Sequence, residues 1–245
     1  YGATLTILLA VAGLLIATVA SAQDIDAGET LLWLDFNEVV DGGFECAVTD
    51  RRADVSAAPQ VQEGAIRASQ FETISVEGLP SDGPTDQLTL SAWVAPSGPP
   101  GSYQSILYKG LRKGAEVQQI HYYFCLWNGR IEFKYKDAEG NWQGIMRNGS
   151  NFSMGEDPAV PASDVPAVKP KQWSHIAATF DEGMITLYLN GDEVLSASES
   201  AKELTPNEHP LLIGEAHAVS GPRSYIFDGL IDNVRVLSRA LTADE

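Results

Sequence analysis

QWSHIAATFDEGMITLYLNGDEV (residues 172–194) is the stretch of sequence that decides the fold. Apolar and polar residues alternate in both of its halves, which is typical of strands that bury one face. The two halves are separated by Asp-Glu-Gly, and the second half ends at Asn190-Gly191, a pair suited to a tight turn with positive φ. The stretch therefore predicts a β-hairpin and a second tight turn that leads into a further strand.

The same period-two alternation recurs along the chain. It is clearest in TLLWLDFNE (30–38), QLTLSAWVAP (87–96), IEFKYK (131–136), MITLYLNG (184–191) and GLIDNVRVLS (229–238). Gly, Pro, Asn and Asp separate these runs, and helical periodicity is almost absent between residues 31 and 236. The pattern predicts an all-β protein in which two antiparallel sheets pack as a sandwich.

The first residues differ from the rest of the sequence. Residues 3–22 carry no charge and end in Ala20-Ser21-Ala22, the small-residue pattern of a signal-peptidase site. We therefore expect residues 1–22 to form an apolar signal helix, clipped at its start, and residues 23–245 to form a single secreted or cell-surface domain. An uncleaved membrane anchor and a pilin-like helix are the alternatives, the latter disfavoured because Leu5 stands where an acidic residue is usual.

Charge and cysteine content limit the partners and the compartment. The chain has 16 Lys and Arg against 33 Asp and Glu, for a net charge of −17. Such a surface repels nucleic acid and anionic membranes, so we expect neither as a partner of the mature domain. The two cysteines, Cys46 and Cys125, could form a disulfide in a secreted protein, or could both be buried thiols; the sequence leaves both possibilities open.

Several segments resemble the laminin-G-like domains of the concanavalin A-like lectin/glucanase superfamily. The family pattern Trp-x-His-Val-Ala-x-Thr-x-Asp, then Leu-Tyr-x-Asn-Gly, is matched here by Trp173, His175, Ile176, Ala177, Thr179, Asp181, Leu187, Tyr188, Asn190 and Gly191. LLWLDF, LTLSAWVAP and the closing FDGLIDNVRVLSRALTADE match further family segments, whereas Arg52-Ala53 replaces a frequent Ser-Gly. The resemblance covers residues 31–245 and implies a jelly-roll sandwich, while its motifs say little about function.

The resemblance assigns Trp173 and His175 to the frame of a sheet. The bulk of Trp173 suits the sandwich core or its rim. His175 shares the alternation of Trp173 and Ala177, and no catalytic partner for it is visible in the sequence. We therefore interpret His175 as a structural residue.

Enzyme motifs of related folds are incomplete in this chain. Glucanases with this fold carry Glu-x-Asp-x-Glu or Glu-x-Asp-x-x-Glu on one strand, and neither pattern occurs here. The acidic cluster DIDAGE (24–29) precedes the first strand and is interpreted as a solvated lead-in. QIH (119–121) resembles a motif of alginate lyases, but their accompanying Arg-x-Glu-x-Arg strand is absent, so we interpret HYYFCLW as a core strand.

Two kinds of binding site are expected. Related folds often join the first and last strands through Ca²⁺, which implies a structural calcium site at Asp232 with help from Asp35 or Asp50; hydrogen bonds to backbone amides are the alternative. Aromatic residues in or near loops could stack on sugar rings. The candidates are Trp142, which we rank first, with Trp127, Tyr103, Tyr225 and Tyr108.

These observations favour a secreted, non-catalytic module that binds a glycan or an extracellular protein. We expect it to be a carbohydrate-binding part of a larger extracellular or cell-surface protein that continues beyond residue 245. A polysaccharide lyase or glycoside hydrolase with an atypical site is the first alternative, and a structural spacer or adhesion domain is the second. The sequence does not specify the oligomeric state.

Overall fold

The computed structural model describes residues 29–56, 58–68, 73–79, 86–99, 103–111, 119–148, 151–154, 157–218 and 221–245. Within these ranges the chain forms β-strands and a 3₁₀ turn of three residues at Ala162–Asp164. No helix in this part of the chain has the length and apolar character needed to cross a bilayer. The expected signal helix at residues 1–22 lies outside the described residues.

The strands are numbered in chain order. They are β1 (Thr30–Leu34), β2 (Gly43–Glu45), β3 (Arg52–Val55), β4 (Val61–Gln62), β5 (Ala65–Ala68), β6 (Ile74–Val76), β7 (Gln87–Pro96), β8 (Tyr103–Leu111), β9 (Gln119–Trp127), β10 (Arg130–Lys136), β11 (Trp142–Asn148), β12 (Asn151–Met154), β13 (Asp157–Pro161), β14 (Ser174–Asp181), β15 (Met184–Leu189), β16 (Asp192–Ser198), β17 (Leu211–Ile213), β18 (Ala216–Ala218), β19 (Gly221–Ser224) and β20 (Gly229–Leu237).

Two antiparallel sheets form the sandwich, as the alternation predicts. The eight-stranded sheet has the order β16-β15-β14-β7-β20-β5-β4, and β1 also pairs with β20. The ten-stranded sheet has the order β13-β12-β11-β10-β9-β8-β17-β6-β3-β2, while β18 and β19 form a separate hairpin. The first and last long strands thus lie side by side, with Leu34 opposite Val234.

The main hydrophobic core lies between the two sheets. Ile131, Phe133 and Tyr135 of β10 all point into it, which confirms the face predicted from IEFKYK. A smaller hydrophobic cluster includes Tyr123 and Cys125 of β9, whose neighbours in sequence belong to the main core. This second cluster therefore lies on the outer face of the ten-stranded sheet.

The Asn190-Gly191 turn is hydrogen-bonded to His175 on the neighbouring strand β14. Both turn residues have positive φ, 55° and 88°. The Asn190 side-chain oxygen accepts a hydrogen bond from the His175 amide at 2.9 Å, and the Asn190 amide donates to the His175 carbonyl at 2.8 Å. Trp173, in contrast, is 42% exposed and lies outside the core. It precedes β14, whose first residue is the buried Ser174.

Three sequence-based expectations are settled by this architecture. Cys46 and Cys125 are both buried free thiols, and they belong to different hydrophobic clusters. The Pro-rich segment at residues 154–172, whose composition predicts a long loop, contains β13 and the 3₁₀ turn, so that prediction is wrong. Tyr108 is wrongly placed near a loop, since it is buried in the second cluster.

Candidate functional site

Three of the predicted sugar-stacking residues surround one cavity on the outer face of the ten-stranded sheet. This aromatic cavity has a volume of about 170 Å³. Its lining residues are Tyr103, Tyr123, Lys134, Trp142, Met146 and Tyr225. The sequence-based prediction therefore names three side chains that the fold brings together, from β8, β11 and the segment before β20.

Strand register places these side chains on one face. Lys134 lies directly opposite Tyr123 on one side and Gly144 on the other, and Lys136 lies opposite Trp142. Directly opposed residues of antiparallel strands project from the same face. Gly144 has φ of 110°, and a Cβ there would lie 2.4 Å from the Phe133 carbonyl oxygen, so glycine permits the close approach of β11 to β10.

Lys134 occupies the centre of the aromatic cavity. Its Nζ lies 4.1 Å from the centroid of the Tyr103 ring, 4.8 Å from that of Tyr123 and 5.9 Å from that of Trp142. Lys136 adds a second ammonium, 4.4 Å from the Trp142 ring centroid. Ammonium groups at these distances are attracted to the ring faces, so the two lysines help to hold the aromatic side chains in place.

A buried ion pair lies beneath the rings. Lys134 Nζ is 2.7 Å from Glu132 Oε2, and the Cys125 thiol donates to the same oxygen at 3.7 Å. Burial alone lowers the pKa of Lys134, but the neighbouring Cys125 and the Glu132 carboxylate outweigh burial and raise that pKa to about 12. Lys134 is therefore a cation at neutral pH, and an ammonium has three N–H donors.

Tyr123 contributes an unsatisfied polar group to the cavity. Its side chain is buried, and its hydroxyl oxygen has no hydrogen-bond partner in the part of the chain that the structure describes. Tyr103 and Tyr225 form a wall, with ring centroids 5.4 Å apart at 70°. The cavity thus combines flat aromatic surfaces with an ammonium and a hydroxyl, an arrangement that can hold a ring-shaped polar ligand.

Trp127 is a predicted aromatic residue that, like Tyr108, does not line the cavity. It lies opposite Tyr103 in the register, but it is half-buried and packs against the main core. Sequence reasoning also missed Lys134 and Tyr123. A signal for Lys134 was available, because Glu132 and Lys134 occupy the alternate positions of IEFKYK, on the face opposite the core.

The predicted calcium ligands are only partly brought together. Burial, and to a smaller extent the charge of Asp35, raise the pKa of Asp232. Asp232 also accepts hydrogen bonds from the Asn233 amide at 2.7 Å and from Asn233 Nδ2 at 3.1 Å. Asp50 is exposed, and no cluster of three or more metal-ligating side chains occurs among the described residues. The calcium site stays a prediction.

His121 of the lyase-like QIH is a buried side chain at the edge of the core. Its Nδ1 lies 2.9 Å from the Thr205 carbonyl oxygen, so the neutral tautomer with a proton on Nδ1 donates this bond. Burial is the main cause that lowers the pKa of His121 to about 4. The residue is neutral at pH 7 and is satisfied by the backbone.

Comparisons with solved structures show the fold class. The botulinum neurotoxin serotype D binding domain aligns with a TM-score of 0.62 at 14% identity, covering 89% of this chain and 50% of that chain. The binding domain of Paraclostridial Mosquitocidal Protein 1 aligns with a TM-score of 0.63 at 18% identity, covering 89% and 51%. The serotype D ligand binding domain in complex with N-acetylneuraminic acid gives 0.62 at 14%, covering 89% and 49%.

The protein spans about half the length of these structural neighbours, so the likeness concerns their fold. Comparison with curated protein sequences gives no match. A laminin G family model, described as concanavalin A-like lectin/glucanases superfamily, matches residues 70–245. The matched region contains β7 and β20, the two long strands at the centre of the eight-stranded sheet, and all residues that line the aromatic cavity. The chain therefore belongs to the concanavalin A-like lectin/glucanases superfamily.

Proposed function

We propose that this protein is a non-catalytic carbohydrate-binding module of a secreted or cell-surface protein. One observation carries the proposal: Tyr103, Trp142 and Tyr225 converge on a single cavity whose centre holds the Lys134 ammonium. Sugar rings present apolar faces that stack on aromatic side chains, and their oxygens accept hydrogen bonds from an ammonium. The secretory signal expected at residues 1–22 accords with an extracellular ligand.

The chemistry of the cavity favours binding over hydrolysis. Glycoside hydrolases of the common kind need two carboxyl groups on either side of the scissile bond. None of the described residues that line the cavity carries a carboxylate, and Glu132 beneath it is held by Lys134 at 2.7 Å. The structural neighbours are named as binding domains, and one of them is a complex with N-acetylneuraminic acid, which supports a binding role by analogy of fold.

Replacement of Trp142 by Ala tests the proposal. We expect retention on a glycan array to fall by about tenfold or more, the usual loss when a central aromatic contact of a binding site is removed. The melting temperature should change by less than about 4 °C, because Trp142 is half-buried outside the main core. Trp173→Ala is the matched control, since it removes an exposed tryptophan that does not line the cavity.

Two results would contradict the proposal. Equal retention of the wild type and of both variants would show that the aromatic cavity does not bind the glycan. Turnover of a polysaccharide by the wild-type protein, with loss of turnover in Trp142→Ala and an unchanged fold, would make the cavity an active site.

A further inference from the structure

A second cavity lies on the other side of the sandwich, on the outer face of the eight-stranded sheet. Its axis is a row of residues that oppose one another across five strands, β1, β20, β7, β14 and β15. The row is Trp33, Arg235, Ser91, Ala177 and Tyr188. Because directly opposed residues share a face, all five side chains project from the same side of the sheet.

The small side chains in the middle of this row make a groove. Ser91 and Ala177 form its floor, and Arg235 and Tyr188 stand at its ends, about 14 Å apart because three strand spacings separate them. The cavity has a volume of about 340 Å³. His175 lines one side and residues 241–245 line the other. We call this cavity the Arg235 groove.

The Arg235 guanidinium is held in place, and the described part of the chain gives it no anionic partner. Its Cζ lies 4.1 Å from the centroid of the Trp33 ring, and Trp33 Nε1 donates a hydrogen bond to Asn233 Oδ1 at 3.2 Å. Arg235 is half-buried, and no described residue forms an ion pair or a hydrogen bond with its side chain. A half-buried cation without a partner destabilises the folded protein, unless a bound anion pairs with it.

Two of the acidic residues nearby accept hydrogen bonds from other residues. Asp232 accepts its hydrogen bonds from Asn233, and the Glu245 carboxylate accepts from Arg239 and from Thr242. His175 adds no second positive charge at neutral pH, because burial and then the charge of Arg235 lower its pKa. Asp244 and Glu245 also line the groove, but both are exposed, so Arg235 is the half-buried charge among its described lining residues.

An exposed aromatic surface lies at the rim of the groove. Trp93 is 41% exposed, and its ring centroid lies 5.4 Å from that of His175, which it faces across the strand pair. Trp93 is two residues from Ser91 on β7, which places it about 7 Å along the strand from the Arg235 row. That spacing matches a ligand with a carboxylate at one end and a flat apolar ring beside it.

We propose that the Arg235 groove binds an acidic sugar residue. The carboxylate pairs with the two parallel N–H donors of Arg235, which suit its planar geometry. The sugar ring lies against Trp93, and the Ser91 hydroxyl on the floor of the groove is a hydrogen-bonding group beside it. This site differs from the aromatic cavity in position and in ligand, and it does not depend on the function proposed above.

Calorimetric titration of the full chain with glucuronate, glucose and acetate tests the assignment. We expect glucuronate to bind more tightly than either glucose or acetate. Arg235→Gln should weaken glucuronate binding by about tenfold or more, because it removes the charge-assisted pair. Ala177→Leu should weaken it as well, since the larger side chain fills the floor while Arg235 remains.

The controls separate this site from other sources of binding. Arg67→Gln removes an arginine from β5 of the same sheet, outside the groove, and should leave the affinity unchanged. Trp142→Ala alters the aromatic cavity and should also leave it unchanged. Circular dichroism and the melting temperature confirm that each variant is folded.

Three outcomes would overturn the proposal. The first is an equal affinity of glucuronate and glucose, which would remove the role of the carboxylate. The second is an equal affinity of acetate and glucuronate, which would remove the role of the ring. The third is a loss of glucuronate binding in folded Trp142→Ala with full binding in folded Arg235→Gln, which would assign the ligand to the aromatic cavity.

Discussion

Lys134 combines two roles that usually fall to different residues. Its ammonium compensates the buried Glu132 carboxylate, and it also lies within 5 Å of two of the aromatic rings, those of Tyr103 and Tyr123. Both side chains of the ion pair are buried, at 8% and 0% exposure. The arrangement of the aromatic rings and the stability of the sheet therefore both depend on the Lys134 side chain.

Replacing Lys134 with Met should destabilise the fold. The substitution keeps most of the volume but removes the cation next to a buried carboxylate, which costs roughly 3–5 kcal/mol when a buried pair is broken. Urea-induced unfolding measures the free energy. Adding Glu132→Gln to Lys134→Met should recover most of the loss; a double variant as unstable as the single one would show that packing, and not charge, dominates.

Residue-scale inference from the sequence named aromatic side chains that share a cavity, but not the charged side chains beside them. Tyr103, Trp142 and Tyr225 were recognised because aromatic residues near turns are unusual outside a core. Lys134 and Arg235 were missed, because a charged residue on the outer face of a strand is ordinarily solvated. Their importance arises from neighbours supplied by other strands, Tyr123 for Lys134 and Trp33 for Arg235, and a single sequence does not show such proximity.

At the scale of single elements, the two Asn-Gly turns have the same backbone and different side-chain contacts. Asn128 and Asn190 both have positive φ, 46° and 55°, and each is followed by a glycine with positive φ. The Asn190 side chain bonds the His175 amide, whereas the structure gives the Asn128 side chain no hydrogen bond in the described part of the chain. Comparing the two turns therefore separates the free-energy cost of positive φ, which both share, from the stabilisation by the Asn190 side-chain hydrogen bond, which only one has.

Asn190→Ala should be more destabilising than Asn128→Ala. Both substitutions place a Cβ residue with no local hydrogen bond at positive φ, which costs about 1–2 kcal/mol. Asn190→Ala also leaves the His175 amide without its partner, which adds about 1 kcal/mol. Chemical denaturation of both variants measures the difference, and equal losses would show that the side-chain bond contributes nothing.

Strand prediction worked where one face of a strand is buried and the other is not. β7, β10, β15 and β20 were all recognised by alternation. β13 was missed, since DPAVP contains two prolines that argue against a strand. It forms at the edge of the ten-stranded sheet, where a residue without an N–H donor is tolerated.

For the whole molecule, acid sensitivity should depend on one histidine as well as on the many carboxylates. His121 has a pKa of about 4 in the folded protein against 6.5 as the ordinary value. Between these values the unfolded chain binds a proton that the folded protein does not, so stability rises with pH across this window. The loss of stability caused by His121 is absent above pH 6.5 and grows as the pH falls towards 4.

His121→Asn should remove part of this pH dependence. The amide can keep the hydrogen bond to the Thr205 carbonyl but does not titrate. Between pH 7 and pH 4 the wild type should lose about 3 kcal/mol more unfolding free energy than the variant, as the difference in pKa requires. Urea titrations at both pH values measure this difference, and parallel losses in the two proteins would show that His121 is not the cause.

The two cysteines make the protein independent of its redox surroundings. Cys46 lies in the main core and Cys125 lies on the outer face of the ten-stranded sheet. An oxidant therefore cannot join these two thiols in the native fold. The described fold therefore contains no disulfide that a reducing compartment could break. The thiols also form two internal reporters, because both are buried and an alkylating reagent reaches each of them only when its surroundings open.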